Sequence, residues 1–356
     1  MIAQAVNATL GARSLQATGT WPSPLIAPTA TRVPTTTPLP SAPPAPAASP
    51  ISLPTAGPAA SATIGASPTL IPTIALTPTP RSTATLCPNC PLRPHYWLER
   101  PIGPDGVNYV DPTYRYGDTQ NGAREPHHGV EFFNPEGTPL RAVANGTVVV
   151  AGNDWKEVYG RGLYFYGTLV VLQLDQRYRD QPVYALYGHL SELSVQVGQK
   201  VRTGDVIGKV GASGVALGPH LHLEVRVGKN DYYSTRNPEL WLKPLNYNGT
   251  GWGGLAGIVR DTSGTPLSRH TVVIRSLNID YDEPITKYVA TYAEESLNGD
   301  DELRENFGIG DLPPGTYEVA VNTTKLYREV VVVAPGQLSF VQFTVNPVPP
   351  TPTPTP

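Results

Sequence analysis

Gly218-Pro-His-Leu-His-Leu-Glu-Val-Arg-Val227 is the stretch on which the reading of this chain turns. From His222 onward it is rich in β-branched and apolar residues, the composition of a strand. Side chains two apart on a strand share a face, so His220 and His222 point the same way and Glu224 shares their side. Gly146-Thr-Val-Val-Val-Ala151, Thr168-Leu-Val-Val-Leu-Gln-Leu174 and the run from Pro182 to Tyr187 have the same texture, punctuated by glycine. No segment among them keeps a helical period over three turns. The expectation is an all-β domain over roughly residues 100–245.

Five of the seven histidines fall between positions 127 and 222. In His127-His-Gly-Val-Glu-Phe132 the first histidine and Glu131 are four apart, a separation that returns both side chains to one face. Bringing this pair against His220 and His222 places three histidines and a carboxylate around one point. Catalytic zinc sites use such sets, often two imidazoles and a carboxylate, and keep a fourth position for water. The metal lowers the pKa of that water to about 7 and polarises the carbonyl under attack. A remaining imidazole can take the water's proton and later pass one to a leaving amine. Spacing alone leaves open which histidine of the 220/222 pair is the ligand.

Four motifs in series then carry a family resemblance: His-x-Gly-x-Glu at 127–131, Tyr187-Gly-His-Leu190, Val197-Gly-Gln-Lys-Val-Arg-Thr-Gly-Asp-Val-Ile-Gly208 and Gly218-Pro-His-Leu-His222. Over roughly residues 110–230 the chain resembles the lysostaphin and LytM peptidoglycan endopeptidases. The resemblance implies an antiparallel β-sheet metallopeptidase domain of the duplicated hybrid motif type. It implies Zn2+ held by His127, Glu131 and His222. It also implies His220 as general base, His189 as hydrogen-bond donor to the transition state, and peptidoglycan peptides as substrate. One position departs from the family, which has Asp where this chain has Glu131. Glu ligates zinc in other peptidases, and the longer side chain then requires a backbone or rotamer shift. The rival expectation is a non-catalytic wall-binding or amidase-activating protein whose site has decayed at Glu131. Retention of all four other site residues favours the enzyme.

Of the remaining residues, His128 is read as facing away from His127, and His95 and His270 as surface residues. Glu224 is read either as a ligand-orienting group or as an ordinary strand carboxylate. Tyr116 is a candidate oxyanion donor, and the aromatic segment Asn153 to Tyr166 either a groove wall or a loop folded onto its own domain. The glycine series from Gly198 to Gly218 also resembles half of a lipoyl or biotinyl carrier, but no lysine stands on a suitable hairpin.

Beyond the glycine-rich Asn246-Tyr-Asn-Gly-Thr-Gly-Trp-Gly-Gly254, strands are expected at Leu255–Arg260, Thr271–Ser276, Leu312–Val321, Glu329–Val333 and Ser339–Val345. This spacing, with Gly257-Ile-Val-Arg-Asp-Thr-Ser-Gly-Thr-Pro-Leu267, resembles the carboxypeptidase regulatory-like sandwiches over roughly residues 253–346. The glycine-rich stretch reads as a hinge that makes this sandwich separable.

Composition bounds the rest. The 356 residues include 40 prolines and 34 glycines, with only 15% charged, too many breakers for one compact enzyme throughout. Residues 1–86, rich in Thr, Pro and Ala, and the Pro/Thr tail 347–356 read as disordered, extended spacers of a secreted or surface-tethered protein. The net charge of −3 excludes a basic nucleic-acid surface. No stretch reaches the ~20 apolar residues of a membrane span, and Met1 to Leu10 carries no export signal. Cys87 and Cys90 read as a local disulfide, two idle thiols or half a zinc knuckle. Nothing in the sequence fixes the oligomeric state.

Overall fold

In the computed structural model, residues 94–346 are described, apart from 248, 279–284 and 295. The two cysteines, both spacers and the chain start lie outside these residues. Apart from two single-turn 3₁₀ segments, Tyr232–Ser234 and Pro238–Leu240, the regular structure is β. Among the described residues no helix is long and apolar enough to cross a membrane.

The larger sheet runs in the order Val130–Phe133, His220–Val227, Gln181–Gly188, Thr168–Tyr178, Gly146–Asn153, Lys200–Val201, and Thr235–Arg236 also pairs with His220–Val227. All of its pairings are antiparallel. A second sheet orders Pro139–Arg141, Val206–Val210 and Leu190–Leu193. Strand His220–Val227 is buried at every position. Its odd-numbered residues, Leu221, Leu223, Val225 and Val227, enter the main apolar core, and its even-numbered ones are polar. The same alternation puts Val170, Leu172 and Leu174 into that core from the neighbouring strand Thr168–Tyr178.

From Gly253 onward the chain forms a sandwich. One sheet orders Phe307–Leu312, Gly253–Asp261 and Leu338–Val345; the other orders Thr286–Ala290, Thr271–Ser276, Gly315–Asn322 and Leu326–Val333. Leu255, Val259, Phe307 and Val341 from the first meet Val272, Ile274, Val319 and Val331 from the second in a core of their own.

The glycine-rich stretch does not act as a free hinge. Asn246–Tyr247 pairs with Thr250–Gly251 as a short hairpin, and the described residues all fall in one compact unit. The physical reason is a shared core: Ala256, Leu303, Leu338 and Phe340 of the sandwich lie in the same apolar cluster as Leu98, Trp241 and Leu242. Polar contacts fasten the same seam. Tyr178 donates to Asp300 Oδ1 at 2.8 Å and Arg236 Nη2 to Asp301 Oδ1 at 2.8 Å, and Arg100 pairs with Asp311. His95 is no surface residue: it is buried among Trp97, Tyr178 and Trp241, with Nε2 3.1 Å from Asp300 Oδ2.

Burying one large apolar side chain stabilises by roughly 1.5–3 kcal/mol, so Leu303, Leu338 and Phe340 together contribute several kcal/mol. That is a sizeable part of the about 5–15 kcal/mol that holds a typical domain. A chain ended at Gly251 is therefore expected to aggregate or to unfold well below the full chain's midpoint in a circular-dichroism melt. An unchanged midpoint would contradict the shared core.

The seam also contains an unusual acid. Burial first, and Asp300 second, push the Glu305 carboxyl up to about 8 from its usual 4.5. A carboxyl raised in the folded state stabilises while it stays protonated, fully below its unfolded value and progressively less as pH rises through the folded one. Stability is expected to fall through this group between pH 4.5 and about 8. Urea midpoints across that range should show the slope, and Glu305→Gln should flatten it.

Candidate metal centre

The register of two neighbouring strands builds the site. Glu131 on Val130–Phe133 lies directly opposite His222 on His220–Val227, and Phe133 opposite His220. His127 stands just before the first strand, where the chain crosses over the second. Gly129 permits this crossing, because a Cβ there would come 2.5 Å from the carbonyl of Leu223 and 2.8 Å from the His222 ring. The glycine in His-x-Gly-x-Glu thus clears space for the imidazole that completes the cluster.

Three buried atoms converge. His127 Nε2 is 2.8 Å from Glu131 Oε1, His222 Nδ1 is 3.1 Å from the same oxygen, and the two nitrogens are 3.2 Å apart. Each ring's other nitrogen is already committed. His127 Nδ1 donates to the carbonyl of Tyr114 at 2.7 Å, and His222 Nε2 donates to Glu224 Oε1 at 3.1 Å. A carbonyl and a carboxylate only accept, so these contacts place the ring protons on the outer nitrogens. In the neutral rings, the inner nitrogens then present bare lone pairs to each other and to a carboxylate oxygen.

Such an arrangement asks for a positive centre. Glu131 is held well below the usual carboxylate range although its burial acts the other way, because His222, His127 and His220 surround it. Against burial, Glu131 and then Glu224 raise His222 to about 9. A tetrahedral zinc with bonds of about 2.0–2.1 Å needs its ligand atoms about 3.3 Å apart. The observed 2.8, 3.1 and 3.2 Å fall a few tenths short of that spacing or less, and His127, Glu131 and His222 form the one metal-competent group found among the described residues. The donor set fits zinc.

His189 and His220 flank the cluster. His189 sits in a left-handed conformation (φ 66°) between two strands, with Nδ1 donating to the carbonyl of Ser213 at 2.7 Å. Burial first, then the charges of His222 and His220, lower it to about 3. His220 Nδ1 donates to the carbonyl of Gly218 at 2.8 Å, and its Nε2 lies 2.9 Å from Glu131 Oε2. All five residues line one cavity of 410 Å³, with Tyr114, Arg124, Phe133, Phe165 and Leu217 among its walls.

Other expectations need correcting. Tyr116 does not reach this cavity: it is buried with its hydroxyl 3.2 Å from both Thr235 O and Thr235 Oγ1, on the side of the sandwich. His128 packs flat on Tyr232 with centroids 3.6 Å apart, and burial lowers it to about 4. Glu224 is fully buried and engaged beside His222. It accepts from His222, from Arg226 Nε at 2.7 Å and from the Tyr166 hydroxyl. Burial opposes its ionisation, but Arg226 and then His222 hold it down at about 2. The sequence reading missed Arg226, although period two from His220 through His222 and Glu224 leads straight to it.

Comparison with known proteins falls on this part of the chain. Residues 125–234 match peptidase family M23. Glycyl-glycine endopeptidase ALE-1 of Staphylococcus capitis is 34% identical over 121 residues, 34% of this chain and 30% of that protein. Lysostaphin of Staphylococcus simulans is 33% identical over 139 residues, 39% of this chain and 25% of that protein. The chain thus spans less than a third of the length of these relatives. Among solved structures, the catalytic domain of Staphylococcus simulans lysostaphin has 30% identity, covering 36% of this chain and 86% of that one, at a TM-score of 0.29. The residues that match peptidase family M23, 125–234, are thus the ones that contain His127, Glu131, His189, His220 and His222.

Proposed function

We propose that the chain is a zinc-dependent endopeptidase that hydrolyses peptide bonds in bacterial peptidoglycan, acting outside the cytoplasm or at the cell surface. The observation that carries this reading is the convergence of two imidazole nitrogens and a carboxylate oxygen in a groove that His189 and His220 also line. The name of one relative, glycyl-glycine endopeptidase ALE-1, supports a peptide bond as the substrate.

His127 Nε2, Glu131 Oε1 and His222 Nδ1 hold the metal in this reading, with His189 and His220 on the groove side. A zinc ion bound there supplies a water of lowered pKa and polarises the scissile carbonyl. The chain's own residues do the rest. His189, anchored through Nδ1 to Ser213 O, keeps Nε2 unprotonated and turned to the groove. His220 is anchored in the same way to Gly218 O. In this reading one ring takes the proton from the attacking water, and the Nε2–H so formed hydrogen-bonds the developing charge and passes the proton to the leaving amine, while the bare nitrogen of the other ring accepts a hydrogen bond from the water. The groove's exposed apolar rim, Phe133, Val215 and Leu217, covers the peptide on either side of the reacting bond.

Alanine at His189 or His220 is expected to lower turnover of purified peptidoglycan by about 10²–10⁴-fold while zinc, measured by elemental analysis, stays bound. Glu131→Gln should strip the metal, because a neutral amide is a poor ligand for a dication. The sharper test is Glu131→Asp. In a site built for Glu the shorter carboxylate falls short and activity drops. An inactive parent beside an active Asp variant would leave this chain a wall-binding or amidase-activating protein.

A further inference from the structure

The segment from Asp111 to Pro126 forms one wall of the groove and ends at His127. It contains little regular structure, so something else must fix it. His127 is tied to this segment three times. Its carbonyl accepts from Gly117 N at 2.8 Å, its N–H donates to the carbonyl of Asp118 at 3.1 Å, and its Nδ1 donates to the carbonyl of Tyr114 at 2.7 Å. The Tyr114 ring also lies flat on the imidazole, centroids 4.1 Å apart. Where residues 114–118 sit therefore decides where His127 Nε2 points.

Those residues sit on the C-terminal sandwich. Tyr116 enters a pocket closed by the loop that follows strand Thr286–Ala290. Its ring meets Tyr292 edge to face at 5.0 Å, with Leu297 in the same apolar cluster. Its hydroxyl accepts from Asn298 N–H at 3.1 Å and lies 3.2 Å from the Asn298 carbonyl. Gly117, at φ 80°, runs so close to Tyr292 that a Cβ would come within 2.7 Å of that side chain. Asn298 Nδ2 donates to the carbonyls of Tyr233 and Thr235, at 2.8 and 3.1 Å, and Thr235 Oγ1 in turn touches Tyr116. A second tie runs through Arg115, which pairs with Glu239, whose Oε2 accepts from Gly310 N at 3.0 Å on a sandwich strand.

We infer that the C-terminal sandwich is part of the metal centre, with Tyr116 and Asn298 as positioning residues that set His127 for ligation through the 114–118 segment. The inference rests on the zinc reading above. The sandwich is fastened at other points of the seam as well. The attachment at Tyr116 is made at the five residues that hold a ligand's backbone and ring, and it places no sandwich residue among those lining the groove.

The test compares zinc affinity of the folded full chain, by chelator competition, for Tyr116→Phe, Asn298→Ala and Tyr96→Phe. The last removes a seam contact, Tyr96 OH to Gln337 O at 3.3 Å, that does not touch residues 114–118. Loss of groups that orient a ligand typically weakens a metal by 10–100-fold. Tyr116→Phe and Asn298→Ala, acting one step further out, are expected to weaken zinc by about tenfold, with far-UV circular dichroism unchanged. Tyr96→Phe should leave the affinity as in the parent, whatever it does to the melting temperature. Unchanged affinity in Asn298→Ala, or an equal loss in Tyr96→Phe, would overturn the positioning role; Asn298→Ala decides should Tyr116→Phe fail to fold. A parent that binds no zinc at all would instead sink the zinc reading itself.

Discussion

Three imidazole nitrogens lie within 2.8–3.1 Å of one buried carboxylate, that of Glu131, and most of the surrounding structure exists to make this tolerable. Ionisable groups taken out of water cost several kcal/mol each unless partners replace the solvent. Here the partners come in layers. Tyr114 O, Glu224 and Gly218 O take the outer nitrogens of His127, His222 and His220. Glu224 is itself fully buried, and Arg226, equally buried, compensates its charge while reaching the carbonyl of Tyr159 at 2.8 Å. The outermost partner thus comes from the aromatic segment 153–166, which the sequence left open as a groove wall or a loop folded onto its own domain.

The same demand fixes the sheet register. Along His220–Val227 the polar series His220, His222, Glu224, Arg226 alternates with Leu221, Leu223, Val225, Val227. A slip of one residue would put four polar groups into the apolar core and four apolar ones into the groove. Few strands are so tightly specified from both faces. This strand also has neighbours on both edges, which leaves its backbone no freedom to adjust. In the proposed function that rigidity would preorganise the ligand set, because a metal then binds without first ordering its ligands.

How far the sequence could be read depended on the range of each interaction. The β class, the His-Leu-His face and the pairing of His127 with Glu131 were legible because they depend on periods of two and four along the chain. Glu224 was half legible, being two residues from His222 yet indistinguishable from a solvent-facing carboxylate until Tyr166 and Arg226 covered it. The role of Tyr114 was not legible, since its carbonyl does the binding and any residue has one. Nor were the contacts of His95 with Asp300 and Tyr116 with Asn298, partners about two hundred residues apart in sequence. The glycine-rich stretch misled because glycines permit a hinge without requiring one. The apolar side chains of Leu338, outside the expected strand, and Phe340, legible only as a strand position, decide against it.

The carboxylate that departs from its family is the point where these strands of argument meet. Glu131 lies opposite His222 in register, so its backbone cannot advance toward the cluster without breaking the strand pair. Shortening the side chain by one methylene would withdraw the carboxylate by about 1.5 Å. Glu131 uses its length on both sides: Oε1 meets His127 and His222, and Oε2 meets His220. A residue drifting after loss of function has no reason to engage three partners, nor to keep their outer hydrogen bonds in place. In the proposed arrangement His127, whose backbone and ring are held by residues 114–118, meets this carboxylate from the other side.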